Sequence, residues 1–201
     1  MAPPFDRLGN IRATAARIEQ LVQQAEGRSL SYTEAIIREL HMLMSAGDPA
    51  VTTSDYRTGP MEVVHRYPDG RQVHILCPAA SEVQARMARL VTWLNEAPMP
   101  VRAVEGFKNF LQTHPFEEGN GRSGRAVLAL LLRESGHLRD QAAVEHFLFD
   151  YFERGGFKQR FGTMIEEIVV QSSSASWNEY FKELLDALQA NDGHMPPIPG
   201  R

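Results

Sequence analysis

The feature that most restricts what this chain can fold into is the apolar run Ala126 to Leu132, inside the stretch Ser123 to Glu134. Wound as a helix, that stretch is apolar around nearly its whole circumference, and such a helix is stable in water only when other helices surround it. The run is far shorter than the roughly 20 apolar residues a membrane helix requires. It therefore predicts the central helix of a bundle rather than a membrane span, and the rest of the chain must supply the covering helices.

The periodicity supplies them. Ile11, Ala15, Ile18, Leu21 and Val22 recur at helical spacing in the segment Ile11 to Gln24. After Gly27, with Ser31 or Thr33 as the candidate cap, Ala35, Ile36, Leu40, Leu43 and Met44 form a second stripe, which Gly47, Asp48 and Pro49 stop. Between Thr52 and Pro78 the period changes. Met61, Val63 and Val64, then Val73, Ile75 and Leu76, flank the turn Tyr67-Pro68-Asp69-Gly70, which predicts a β-hairpin. Further helices are expected from Ser81 or Glu82 to Leu94, Val101 to Leu111, Gln141 to Glu153, Gly156 to Ser172 and Trp177 to Ala190.

A chain of 201 residues with 43% hydrophobic content can bury one substantial core. The expected organisation is an N-terminal extension over 1–9, one domain over 10–190, and a disordered Pro- and Gly-rich tail over 191–201. A net charge of -4, with acidic and basic residues well mixed, disfavours nucleic acid as the main ligand. The lone Cys77 allows no internal disulfide, and the opening residues lack the pattern of a signal peptide. Both point to the cytoplasm.

The chemistry is concentrated between His114 and Arg125, in the string His-Pro-Phe-Glu-Glu-Gly-Asn-Gly-Arg-Ser-Gly-Arg. Gly119 and Gly121 let the backbone approach a ligand and take positive φ, and the amides of the helix start that follows face whatever sits there, an anion site. Arg122 and Arg125 are three apart on the opening turn, where cations oppose the helix dipole by about 0.3–1 kcal/mol each. A bound phosphate accounts for tolerating two guanidinium groups there. Glu118 is a hard oxygen donor suited to Mg²⁺ beside phosphates, and His114 can serve as a general base near neutral pH. A bland role is available to each residue taken singly. The Gly-Asn-Gly segment alone is a turn, and the arginines alone can pair with Glu117 and Glu118. The whole string is far more specific than its parts.

The string resembles the signature of the Fic family, HxFx[D/E]GNGRxxR, at every defined position: His114, Phe116, Glu118, Gly119, Asn120, Gly121, Arg122 and Arg125. The likeness extends over roughly 10–190, with Ile37-Arg38-Glu39-Leu40-His41 similar to the family's second core helix. Tyr56-Arg57-Thr58-Gly59 is similar to the lead into its flap, and Leu148 to Arg154 to the helix after the motif.

The resemblance implies an all-α, Fic-type orthogonal helical bundle with one inserted β-hairpin flap over about 56–78. It implies a protein adenylyltransferase using ATP as substrate. His114 would deprotonate a Ser, Thr or Tyr hydroxyl of a target protein, and Glu118 would ligate Mg²⁺. Gly119, Asn120, Gly121 and Gly124, with Arg122 and Arg125, would hold the phosphates. Phe116 would be a buried anchor. The target would pair with the flap hairpin.

Many relatives carry an inhibitory helix of pattern [S/T]xxxE[G/N], which is not intact here. Its nearest counterpart is Thr14 to Gln20, where Glu19 reads as a solvated charge. A separate antitoxin chain, a longer parent protein or a different regulation would account for that, and the chain is expected to act without a partner and to modify itself. Two alternatives accompany this reading: the same fold using another donor such as UMP or removing AMP, and a non-catalytic nucleotide-binding module. The intact His114 and Glu118 disfavour the second.

Overall fold

A computed structural model describes residues 5–25, 27–67, 69–151, 157–171 and 173–194. Eight helices and one hairpin are described: α1 (Arg7–Gln24), α2 (Glu34–Ser45), β1 (Glu62–Arg66), β2 (Gln72–Leu76), α3 (Ala80–Glu96), α4 (Val101–Thr113), α5 (Asn120–Glu134), α6 (Gln141–His146, running into a π-helical turn over Phe147–Tyr151), α7 (Phe157–Val170) and α8 (Ala175–Ala190). The fold is the expected all-α bundle with one inserted hairpin.

The run that most restricted the fold is at the centre. Every residue from Ala126 to Leu132 is at most 1% exposed. The covering helices are α1, α2 and α4, all of which pack on α5, with the turn after α6 closing one side. At roughly 25 cal/mol per Å² of apolar surface removed from water, a Leu buried this completely stabilises by about 2 kcal/mol, so α5 dominates the core. On the far side, α8 locks to α4 through Trp177, which stacks near Phe107 and donates its indole N–H to the Val104 carbonyl at 3.2 Å.

Helix boundaries follow capping chemistry more than apolar spacing. α1 begins at Arg7, ahead of its first core residue Ile11, because the Asp6 carboxylate accepts the Gly9 amide hydrogen at 3.0 Å. The first helix therefore starts inside the segment expected to be an extension. Thr33, not Ser31, caps α2 by accepting from the Ile36 amide at 3.2 Å. α5 begins at Asn120, within the signature string, and not at Ser123. Residues 191–194 form a turn, with the Gly193 amide donating to the Leu188 carbonyl at 2.8 Å; the remainder of the expected tail, 195–201, lies outside the described residues, as do Phe152 to Arg154 of the segment compared with the helix after the motif.

The hairpin is antiparallel, with Glu62 opposite Leu76, Val64 opposite His74 and Arg66 opposite Gln72. These six residues form its exposed face, while Val63, His65, Val73 and Ile75 are half-buried. It rests on α7: an added Cβ at Gly162 would lie 2.0 Å from His65 Nε2, so the glycine forms the notch that seats the imidazole. Tyr67 donates its phenolic hydrogen to Glu166 at 2.7 Å beside it.

Candidate active site

α4 ends at Thr113 and α5 begins at Asn120, and the short loop between them is the signature string. His114 is the C-cap of α4 and sits in the left-handed region at φ 47°, ψ 63°. That conformation costs a non-glycine residue roughly 1–2 kcal/mol, and its persistence here shows that the surroundings hold it. The His114 amide continues the helix by donating to the Phe110 carbonyl at 3.0 Å. Its ring Nδ1 lies 3.3 Å from the Leu111 carbonyl, which assigns the hydrogen to Nδ1 and leaves Nε2 with the lone pair. Burial lowers the imidazole pKa, a shift the Leu111 contact opposes and the nearby Arg57 guanidinium reinforces. Burial and Arg57 favour a neutral ring, and the Leu111 contact leaves its one basic nitrogen, Nε2, free.

A cavity of about 700 Å³ opens in front of this loop. His114, Glu117, Glu118, Gly119, Asn120, Gly121, Arg122 and Arg125 line one wall, and Met61 to Val64 of the hairpin line another. Phe5, Arg7 and Asp48 complete it. Seven of the eight expected site residues, all but Gly124, are therefore brought into one cavity.

The glycines divide by role. Gly119 has φ 76°, and a Cβ there would press on Ser45 Oγ at 2.9 Å and His41 Cε1 at 3.2 Å. Gly121 is helical and does not use positive φ, contrary to expectation; a Cβ there would meet nothing within 4 Å, because its face opens on the cavity. Gly124 faces the opposite way. Its Cβ would lie 3.0 to 3.2 Å from Phe107, Phe110 and Leu111, so this glycine closes α5 onto α4 and stands behind the cavity, not in it. Asn120, only 2% exposed, uses both ends of its amide on Phe116, accepting from that backbone N–H at 2.9 Å and donating to the carbonyl at 2.7 Å. Its side chain shapes the loop rather than reaching out of it, and Phe116 is buried, as expected.

The arginines are not paired with Glu117 and Glu118. Arg122 donates from Nη2 to Asp48 Oδ2 at 2.5 Å and lies over the Phe5 ring, while its Nε is buried without a partner. The Ala50 amide and then Arg122 hold the Asp48 carboxyl below the usual carboxylate range. Arg125 lines the cavity and donates to the Gly121 carbonyl at 3.1 Å. Glu117 accepts the Thr58 amide hydrogen at 3.1 Å, and Glu118 is exposed at the cavity with no hydrogen-bond partner among the described residues.

Glu19 corrects a reading: it is no solvated charge. Two hydrogen bonds, at 2.8 and 2.9 Å, tie it to Arg133 near the other end of α5. Eight residues separate Arg133 from Arg125, about 12 Å along a helix.

Sequence reading alone missed three side chains that build the site. His41, 1% exposed, stacks on Phe116 with ring centroids 3.8 Å apart, and its Nδ1 meets Ser123 Oγ at 2.8 Å. Burial brings its pKa to about 4 against a backbone hydrogen bond at Thr53 that raises it, so the ring is neutral. Asp48 and Arg57 are the others. A signal for His41 exists in the sequence, since Ile37, Leu40, His41 and Met44 fall on one helical face and a polar group there must find a partner. Asp48 and Arg57 lie in irregular segments, where spacing carries no such signal.

The profile of the Fic/DOC family matches residues 30–132, which span α2 to α5 and the whole signature string. The chain belongs to this family, whose members typically transfer a nucleoside monophosphate onto proteins. Its fold is shared by three crystal structures. A Fic domain-containing signalling protein from Bacteroides thetaiotaomicron matches at 20% identity and TM-score 0.68, over 91% of this chain and 69% of that one. A Fic family protein from Desulfovibrio desulfuricans matches at 21% identity and TM-score 0.64, over 92% of this chain and 65% of that one. BepC, a VirB-translocated effector protein from Bartonella tribocorum crystallised with bound AMPPNP, matches at 15% identity and TM-score 0.53, over 86% of each chain. The chain thus spans about two thirds of the length of the first two. Among the described residues, no helix is long and apolar enough to cross a membrane.

Proposed function

We propose that this chain transfers AMP from Mg-ATP onto a Ser, Thr or Tyr hydroxyl of a target protein and releases pyrophosphate. The observation that carries the reading is the convergence, around one cavity, of a neutral His114 with Nε2 free, a Glu118 unpaired among the described residues, and the amino end of α5 with Arg122 and Arg125. Binding alone needs no free base beside an anion site.

In the proposed reaction His114 Nε2 accepts the proton of the target hydroxyl as its oxygen attacks the α-phosphorus. The first amides of α5 have no intrahelical acceptors; they and the two guanidinium groups receive the charge that develops on the phosphates. Glu118 suits Mg²⁺, because it is a hard oxygen donor with no competing partner among the described residues, and Mg²⁺ commonly binds through one or two carboxylates and otherwise uses phosphates and water. The ion, when bound, would neutralise phosphate charge. Among the described residues no three acidic, His or Cys side chains converge on a point, which fits an ion bound together with nucleotide rather than held in a protein cage. ATP as donor is supported by the AMPPNP bound to the Bartonella protein. A target segment would pair with the hairpin, where β1 borders the cavity and has only β2 as a neighbour among the described residues. In relatives that carry the inhibitory helix its Glu pairs with the second arginine of the string, so a partner chain carrying such a helix would be directed at Arg125.

Incubation with α-labelled ATP and Mg²⁺, alone and with a bacterial lysate, tests this. Labelled protein that disappears in His114→Ala supports it. Label only from α-labelled UTP, GTP or CTP overturns the choice of donor, and no label from any nucleotide favours a binding module.

A further inference from the structure

The catalytic loop and the two feet of the hairpin meet at one buried cation. Arg57 is 2% exposed, and no carboxylate lies within ion-pair reach of it among the described residues. Its guanidinium instead makes four hydrogen bonds, all to backbone carbonyls. Nε donates to the His114 carbonyl at 2.8 Å, Nη1 to Gly59 at 2.9 Å, and Nη2 to Pro78 at 2.6 Å and Thr113 at 3.3 Å. The Arg57 amide adds a bond to the Pro115 carbonyl at 2.8 Å. Gly59 precedes the hairpin and Pro78 follows it, while Thr113 ends α4 and His114 and Pro115 open the catalytic loop.

A buried cation without a counterion is expensive unless fixed dipoles replace its water. Here the dipoles are those at the carboxyl end of α4, where a helix presents unpaired carbonyls and partial negative charge. The planar fork of arginine reaches acceptors on several segments at once, which the single ammonium of lysine cannot do. The bond from Nε goes to the carbonyl of His114 itself, the one non-glycine residue of the loop held in the left-handed region.

We propose that Arg57 is a positioning residue: by joining both feet of the hairpin to the carbonyls of Thr113 and His114, it fixes the left-handed turn that aims the His114 ring into the cavity. The seat of the target and the base that deprotonates it then share one support, so neither moves without the other. The proposal rests on the reading of His114 as the base. Arg57 also adds a positive charge near that ring, the smallest of the causes shifting its pKa. The ring shares its cavity with the carboxylates of Asp48, Glu62, Glu117 and Glu118 and the guanidinium groups of Arg7, Arg122 and Arg125. All of these are unchanged when Arg57 alone is replaced.

The test compares Arg57→Lys, which keeps the charge, with Arg57→Met, which removes it. Three quantities are read in the folded proteins: ATP affinity by direct binding, kcat for labelled transfer, and the titration of the His114 ring followed by NMR without Mg²⁺. The expected result is that ATP affinity holds in both variants while kcat falls about tenfold or more, as for a misaimed catalytic group. The His114 titration should move to higher pH in Arg57→Met and stay in place in Arg57→Lys. Unchanged kcat in folded Arg57→Lys overturns the proposal, as does a loss of ATP affinity that matches the loss of kcat, which would mean general distortion. If Arg57→Met does not fold, Arg57→Lys decides alone on these criteria. If the wild-type chain transfers no nucleotide, the functional reading fails, and the proposal is judged on the NMR signals of the His114 ring: displaced in Arg57→Lys it stands, unmoved it falls.

Discussion

The two ends of α5 carry the same kinds of side chain and do opposite things with them. At the carboxyl end, Arg133 makes two hydrogen bonds to Glu19, and Glu134 accepts from the Leu30 amide, the Tyr32 hydroxyl and Arg102, with its side chain only 8% exposed. That end is closed: Arg133 and Glu134 both spend their charged groups on intramolecular partners, although the Nε of Arg102 is buried without one. At the amino end, Arg122 makes a single bond to Asp48 and leaves Nε unused, Glu118 has no partner among the described residues, and Gly121 presents bare backbone to the cavity. Charge alone therefore does not mark a site; charged groups that face a cavity do.

The largest effect should come from the open end. His114→Ala is expected to leave the melting temperature nearly unchanged and to lower transfer by about 10²- to 10⁴-fold, the usual contribution of a general base. A loss of less than tenfold would remove His114 from that role. At the closed end the outcome should be reversed. Glu134→Ala strands the Arg102 cation and the Tyr32 hydroxyl, and breaking a buried pair costs about 3–5 kcal/mol. Chemical denaturation should register that loss, while ATP affinity of the folded fraction stays the same.

Acid should act beneath the site rather than in it. His41 has a folded pKa of about 4, lower than the roughly 6.5 of an unfolded chain, so the unfolded state binds the proton more readily. Its contribution is therefore fully present above pH 6.5 and declines as pH falls from there towards 4, by about 3 kcal/mol in all. His41→Gln should flatten that limb of the stability curve, and a limb that persists unchanged would assign it to another group.

Two glycines sharpen the contrast within one helical turn. Gly124→Ala pushes a methyl against Phe107, Phe110 and Leu111 and should destabilise by about 1–3 kcal/mol without altering nucleotide affinity. Gly121→Ala places its methyl in the open cavity, so stability should rise by up to about 1 kcal/mol from helix propensity while nucleotide binding weakens. Equal behaviour of the two variants would contradict the assignment of one glycine to packing and the other to the ligand.

The comparison also shows where sequence reasoning ran out. Residues placed by local geometry were legible: the apolar circumference of α5, the turn of the hairpin, and the gathering of His114, Glu118, Arg122 and Arg125 at one loop-to-helix junction. Gly124 was misplaced because a glycine near an anion-binding string reads the same whether its missing side chain makes room for a phosphate or for a phenyl ring. Glu19 was misplaced for the complementary reason. A carboxylate on the first helix looks solvated until a partner 114 residues away in the chain is brought to it.

The sequence by itself determined that this protein is a helical bundle built around α5, with an imidazole, a carboxylate and two guanidinium groups at a loop-to-helix junction. Those properties depend on neighbours within a turn or two, and side-chain spacing encodes them directly. Only the tertiary structure decided which charges are spent and which are available. Asp48 comes to Arg122 and Arg57 to the His114 carbonyl from irregular segments distant in the chain. No periodicity records such meetings, because they are set by how the helices pack and not by how any one of them is wound.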